Sequence, residues 1–187
     1  EGKTTTIINL AITYANLGKK TILIDGDLRK PVIHKVFNTE NKIGLTHYLS
    51  GTEDKLDSII YPSGIENLDL IFNGAIPPNP SELLGSSLMK DLVKDLKNKY
   101  EIVLFDAPPV LAVTDSVVLS SLTDQFILVV RFGRTDKDSI DLALSSLNNL
   151  DRSLTGVVFN DLNQSNTYYS KSYYSYYQYY SITDQST

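Results

Sequence analysis

The feature that most restricts how this chain can fold is the run Glu1-Gly2-Lys3-Thr4-Thr5, which leads straight into an apolar helical pattern. Gly-Lys-Thr ahead of a helix is the second half of a phosphate-binding loop. Backbone N–H groups cradle phosphate oxygens, the lysine reaches the outer phosphates and the hydroxyl holds Mg²⁺. A nucleoside triphosphate is the ligand such a loop suits. The complete pattern opens with a further glycine after a strand, and both would lie ahead of Glu1. The chain is therefore expected to be a fragment, and a polypeptide starting at Glu1 to bind ATP poorly. Taken alone, the triplet reads as an ordinary helix start. Two acidic strand ends downstream, at Asp25 and Asp106, are what turn it into a site.

Ile7, Ile8, Leu10, Ala11, Tyr14, Ala15 and Leu17 recur at helical spacing, and Gly18 offers the stop. Thr21 to Ile24 reads as a buried parallel strand whose carboxyl end carries Asp25, Gly26 and Asp27. Ligands of open α/β sheets bind at that edge. Arg29 and Lys30 follow, and Pro31 suits a helix start. Gly44 to Gly51 reads as a small helix between glycines, and Leu68 to Phe72 as a strand. Pro77-Pro78-Asn79-Pro80 then interrupts regular structure, with Ser81 and Glu82 read as a cap.

Leu83 to Lys97 reads as one long helix with a basic last turn, as the helix dipole favours. Ile102 to Phe105 is a second apolar strand ending in an acid, Asp106, after which Pro108-Pro109 forces the chain out of the sheet. Val113 to Leu122 reads as a short helix, Phe126 to Val130 as a strand, Lys137 to Leu150 as a helix, and Val157 to Phe159 as a last strand ending at Asn160. Strands alternating with helices predict an α/β fold, a mostly parallel sheet with helices on both faces. One domain is expected over 1–163.

From Gln164 the composition changes. Tyr168, Tyr169, Tyr173, Tyr174, Tyr176, Tyr177, Tyr179 and Tyr180 fall in pairs separated by Ser, Lys and Gln, with neither helical nor alternating spacing. Aliphatic residues are almost absent there, so little offsets the entropy of ordering, and 164–187 is expected to be a flexible tail. A formal net charge of -5 argues against nucleic acid as a partner. With no cysteine, disulfides, thiolate nucleophiles and Cys-ligated zinc are excluded. No apolar run reaches the roughly 18 residues of a membrane helix. His34 and His47 share no ligand spacing and are expected at the surface.

Phosphoryl transfer needs positioned phosphates, a divalent cation and a group that orients or deprotonates the nucleophile. Lys3 answers the first need, and Thr4 is the candidate inner ligand of Mg²⁺. That ion keeps several waters, so one or two carboxylates are sufficient company. Asp106 fits the metal-holding role, although capping the following turn would also explain it. Asp25 and Asp27, one residue apart, would project the same way if the strand persisted. One could join the metal shell while the other accepts a proton, or the Asp-Gly-Asp run could be a turn that satisfies backbone donors.

Together these segments resemble the catalytic domain of bacterial protein tyrosine kinases, the BY-kinases of capsule and exopolysaccharide systems, which are P-loop ATPase-derived. Glu1, Gly2, Lys3 and Thr4 match the family's Walker A loop. Asp25, Asp27, Arg29 and Pro31 match its Walker A′ motif, Asp-x-Asp-x-Arg-x-Pro after an apolar strand. Asp106, Pro108 and Pro109 match its Walker B motif, and a family-like Gly-x-x-Pro-Pro-Asn-Pro-Ser-Glu-Leu-Leu segment runs from Gly74 to Leu84.

The resemblance implies a P-loop NTPase fold of Walker A/A′/B type and an ATP- and Mg²⁺-dependent kinase that phosphorylates the tail tyrosines in trans within a homo-oligomer. It implies Lys3, Asp25, Asp27 and Asp106 as catalytic residues, with Gly2, Lys3, Thr4, Thr5, Arg29 and Asn160 at the nucleotide. Thr4, Asp27 and Asp106 would serve the metal. Asn160 looks like the asparagine that contacts adenine in related ATPases, or it merely closes its strand. Arg29 neutralises phosphate or is a surface charge. The resemblance also implies a separate membrane adaptor of the polysaccharide co-polymerase type, a cognate tyrosine phosphatase, and a cytoplasmic protein held peripherally at the inner face of the membrane. The main rival is a partitioning or septum-positioning ATPase. A silent scaffold with a tyrosine-rich binding tail is the second, and the joint presence of Lys3, Thr4, Asp25, Asp27 and Asp106 speaks against it.

Overall fold

The computed structural model describes residues 1–148 and 154–162. The tyrosine cluster from Tyr168 to Tyr180, the boundary expected at 163 and the end of the last helix at Leu150 lie outside the described residues.

A four-stranded sheet has the order β2-β3-β1-β4, built from β1 (Thr21–Asp25), β2 (Tyr61–Pro62), β3 (Leu68–Ile71) and β4 (Ile102–Asp106). β1 pairs in parallel with β3 on one side and β4 on the other, while the two-residue β2 runs antiparallel at the edge. β5 (Ile127–Arg131) and β6 (Gly156–Asn160) form a second, parallel pair. The expected α/β architecture with helices on both faces is therefore present, with its edge strand β2 too short to leave a sequence signal.

Side-chain alternation along the central strand β1 divides the core. Ile22 and Ile24 enter one cluster with Leu92, Val93 and Leu96 of α5 (Ser87–Lys99), while Leu23 enters the other with Ile8, Ala11 and Ala15 of α1 (Lys3–Asn16). The short helices α2 (Ile33–Val36), α3 (Leu45–Leu49) and α4 (Pro80–Leu84) close the layers. Ile33 joins the α1 face, and Leu45 and Leu84 join the α5 face. α6 (Asp115–Ser120) and α7 (Lys137–Asn148) follow β4 and β5.

The single helix expected over Leu83 to Lys97 is two. α4 ends at Gly85, and Ser86 starts α5 by accepting a hydrogen bond from the Met89 N–H on its side-chain oxygen at 3.2 Å. A serine that caps one helix cannot also sit inside a continuous one, because its backbone is extended there. Nor do Ser81 and Glu82 cap α4. Asn79 holds the cap position, and its side chain donates to Glu82 at 2.7 Å. The helix after Pro31 begins only at Ile33.

β4 is paired only with β1, and β5 only with β6, among the described residues. Between their free edges lies an apolar cleft of about 520 Å³, roofed by Ile7 and Leu10 of α1.

The layer model is checked by two substitutions on α5. Leu92 is fully buried and Leu88 is 40% exposed. Leu92→Ala should destabilise by ~2–5 kcal/mol in urea unfolding, through lost burial and a residual cavity. Leu88→Ala should cost no more than about 0.5 kcal/mol, the usual range of surface changes. Equal costs would mean that α5 docks through another face.

Candidate active site

The register between β1 and β4 builds the site. Asp25 pairs with Asp106 as the last residue of each strand, so two acids separated by 81 positions end side by side at the carboxyl edge of the sheet. Past the strand end, the Gly26 N–H still donates to the Asp106 carbonyl at 2.9 Å. A Cβ on residue 26 would stand 2.6 Å from that carbonyl oxygen. The glycine inside Asp-Gly-Asp therefore lets the A′ loop lie against the Walker B strand.

The two acids of that loop do not project alike, because β1 stops at Asp25. Asp25 is fully buried. Its Oδ2 accepts from the N–H groups of Val32 and Ile33, each at 3.1 Å, and holds the start of α2. Its Oδ1 is buried with no hydrogen-bond partner. Asp27 lies in the loop, where its Oδ1 accepts from the N–H groups of Arg29 at 3.1 Å and Lys30 at 2.9 Å. The turn reading therefore holds for Asp25 Oδ2 and Asp27 Oδ1, which both accept from backbone N–H groups, while Asp25 Oδ1 is left without a partner.

Thr4 Oγ1 donates to Asp106 Oδ2 at 2.6 Å, which brings the candidate metal hydroxyl and the Walker B carboxylate into direct contact. Gly2, in the left-handed region at φ 95°, caps the 14-residue α1. Thr6 bonds back to the Gly2 carbonyl through both its N–H and its hydroxyl at 2.9 Å. Thr5 is exposed on the first helical turn. The Lys3 ammonium meets the Glu1 carboxylate at 2.5 Å.

Asn160 ends β6 and donates its side-chain N–H to the Glu1 carbonyl at 2.9 Å, so its amide rests on the loop backbone. A Cβ at Gly2 would collide with that same amide.

Arg29 turns back from the loop. Its Nε and Nη2 donate to Asp115 Oδ2 and Oδ1 at 2.8 and 3.1 Å, a fork-on-carboxylate pair. Asp115 is fully buried and also accepts from Ser81 Oγ at 2.5 Å. The sequence reading passed over Asp115 as part of a short helix. The signal available was Thr114-Asp115-Ser116 at a helix start, and capping alone would have explained it.

Crowding of acids sets the electrostatics. Burial is the main cause that pushes the Asp25 carboxyl up to about 7, helped by Asp106 and Asp27 and opposed by the two α2 N–H groups. Burial also raises Asp106, against the Thr4 hydrogen bond and the Lys3 charge. Burial would raise Asp115 too, yet its bonds to Arg29 and Ser81 hold it below the usual carboxylate range.

No cluster of three or more His, Cys, Asp or Glu among the described residues is arranged to hold a metal by side chains alone. The donor set suits Mg²⁺, which takes few protein oxygens and keeps water or phosphate for the rest. His34 and His47 are half-buried rather than at the surface, each with a buried Nδ1 lacking a hydrogen-bond partner. No helix among the described residues is long and apolar enough to cross a membrane.

The family model for the AAA domain matches residues 1–157. The chain is 41% identical over 160 residues to the tyrosine-protein kinase YwqD of Bacillus subtilis, a match covering 86% of this chain and 67% of that protein. Among solved structures it is similar to the VpsO kinase domain at 38% identity and a TM-score of 0.82, covering 87% of this chain and 80% of that one. The chimerical protein CapA2B2 also matches at 38% identity and a TM-score of 0.81, covering 84% and 70%. A septum site-determining protein of Pyrococcus horikoshii, at 21% identity and a TM-score of 0.60, shares the fold alone. The level of sequence identity, not the fold by itself, separates the two groups, and the chain belongs to the bacterial tyrosine-protein kinases, on a P-loop fold of the AAA-domain type.

Proposed function

We propose that this chain is an ATP- and Mg²⁺-dependent protein tyrosine kinase that phosphorylates its own C-terminal tyrosine cluster in trans, within a homo-oligomer that serves capsule or exopolysaccharide synthesis. The observation that carries the reading is the meeting of Thr4, Asp106 and the A′ loop at the N-terminus of α1. The residues fit a magnesium nucleotide. The left-handed Gly2, the N–H groups opening α1 and Lys3 form a cradle for phosphate oxygens. Lys3 exchanges Glu1 for the outer phosphates. Thr4 and Asp106 would hold the cation, with the Asp27 carboxylate near enough to act on Asp106 electrostatically. When bound, Mg²⁺ neutralises the charge that builds on the transferred phosphoryl group.

An attacking tyrosine has a pKa near 10 and must lose its proton to a nearby base at neutral pH. Asp25 is assigned that role. Its Oδ1 has no other hydrogen-bond partner, and burial raises its pKa to about 7, which makes it a stronger base than an ordinary carboxylate. Thr5, Arg29 and Asn160 support the nucleotide indirectly. Thr5 belongs to the first turn, Arg29 fixes the A′ loop, and Asn160 fixes the loop backbone at Glu1.

A strand ahead of the phosphate-binding loop, which the complete loop pattern calls for, would have its place in the cleft between β4 and β5, whose facing edges are unpaired among the described residues. The domain then extends to 163, with 164–187 as the substrate tail. A membrane adaptor of the polysaccharide co-polymerase type brings the kinase to the inner face of the membrane, and a tyrosine phosphatase resets it. Phosphotyrosines each add roughly -1.5 to -2 charges, and their repulsion loosens the oligomer.

In a mixture of active protein and Lys3→Met protein, mass spectrometry should find phosphate on Tyr168 to Tyr180 of the Lys3→Met chains. A tail modified only on active chains would exclude transfer in trans. Phosphate release with no phosphotyrosine would identify an ATPase instead. Asp25→Asn should lower kcat by about 10²–10⁴-fold, the usual contribution of a general base. Asp27→Asn should mainly raise the Mg²⁺ concentration needed for half-maximal rate. The reverse pattern would exchange their roles.

Nucleotide-free protein offers a separate check. The Asp25 carboxyl titrates near 7 when folded and near its ordinary 3.8 when unfolded, so the folded state holds more protons between those values. Its stability contribution is fully present below about 4 and is lost as pH rises to about 7. Asp25→Asn should flatten this loss and melt higher than wild type at pH 8. A parallel pH profile for the two proteins would show that Asp25 does not titrate there.

A further inference from the structure

Two neighbouring residues at the start of α6 each hold one of the loops that carry Asp27 and Asp106. Asp115 grips the Arg29 guanidinium through two hydrogen bonds, and Arg29 in turn donates its backbone N–H to Asp27 Oδ1. Ser116 donates to the Pro108 carbonyl at 2.5 Å, two residues past Asp106. Both side chains are buried. Ser81, in the proline-rich segment, supplies a third bond to Asp115.

We propose that Asp115 is a positioning residue for the magnesium site. By fixing Arg29 while Ser116 fixes Pro108, the start of α6 sets the separation between Asp27 and Asp106. The chain of contacts runs carboxylate to guanidinium, then along one residue of backbone, then N–H to carboxylate. A buried charge holding a half-exposed arginine has little reason to persist for stability alone. Ion pairs of this kind gain little over an apolar replacement, because both charges must be desolvated. What the pair does secure is direction. A guanidinium fork on a carboxylate fixes both the plane and the position of the arginine, which a lysine or an apolar contact would leave free. Gly26 ties the loop's start to β4 and Asp25 ties its end at Val32 and Ile33, so Arg29 is the side chain that anchors its middle, where Asp27 and Lys30 otherwise share only the local turn.

The inference rests on the metal-site reading above, and its test does not depend on kinase activity. Full-length protein is titrated with ADP in the presence and absence of Mg²⁺, and the ratio of the two affinities is compared between wild type, Asp115→Asn, Arg29→Lys and the double variant. The Arg29 side chain is 41% exposed, so Arg29→Lys is expected to fold even if Asp115→Asn does not. Outer contacts of a metal site are typically worth about 10–100-fold in metal affinity. The Mg²⁺-dependent gain in ADP affinity should fall by about that factor in each single variant, a ratio that is read separately from any change in ADP affinity without Mg²⁺. The double variant should lose no more than the worse single one, because both changes cut the same link. An unchanged Mg²⁺ dependence in Arg29→Lys would overturn the proposal, as would additive losses in the double variant. If wild type showed the magnesium-dependent gain but made no phosphotyrosine, the kinase reading would fail and the positioning role would stand.

Discussion

Everything at the carboxyl edge of the sheet depends on the parallel pairing of β1 with β4. That pairing sets Asp25 beside Asp106 and continues one residue further through Gly26, where there is no room for a side chain. Shifting the register by one residue would turn every side chain of β1 to the opposite face. Ile22 and Ile24 would then leave the α5 layer and Leu23 the α1 layer. The hydrophobic partition of the core is thus what holds the acids in place, and core stability and site geometry are one constraint.

Concentrating acids at a buried edge costs stability, and the structure shows how the cost is spread. Asp25 is half-satisfied by the α2 N–H groups, Asp106 by Thr4, and Asp27 by its own loop. Asp115, the deepest acid outside the cluster, carries the strongest set of partners. The unpaired Oδ1 of Asp25 is where compensation stops. A group left short of partners in an otherwise satisfied edge is what a reacting site needs, since it gains its missing contact only when a substrate arrives.

The phosphate loop joins this edge from both ends. α1 presents its opening N–H groups beside Asp106, and Asn160 reaches across from β6 to the Glu1 carbonyl. The loop is therefore tied to the first and the second strand groups at once, across a cleft with two unpaired strand edges. That arrangement makes the Gly2–Thr4 loop a bridge between the four-stranded sheet and the β5–β6 pair.

Local chemistry was legible in the residues themselves. The apolar spacing of α1, the β-branched runs ending in Asp25 and Asp106, and the alternation of strand and helix gave the fold class, because each is fixed by neighbours a few positions away. Where sequence reading failed, several local patterns were equally good. Ser86 could continue a helix or cap one, and only its bond to Met89 decides. Asp27 could follow the strand or leave it, and the close approach of Gly26 to β4 decides. Asp115 could cap a helix or anchor an arginine 86 positions away. Such choices belong to the tertiary structure because they turn on contacts between segments far apart in the chain. Spacing along the sequence determined which acids stand at strand ends; folded contacts decided that Asp25 Oδ2 is held by the Val32 and Ile33 N–H groups while its buried Oδ1 is left without a partner.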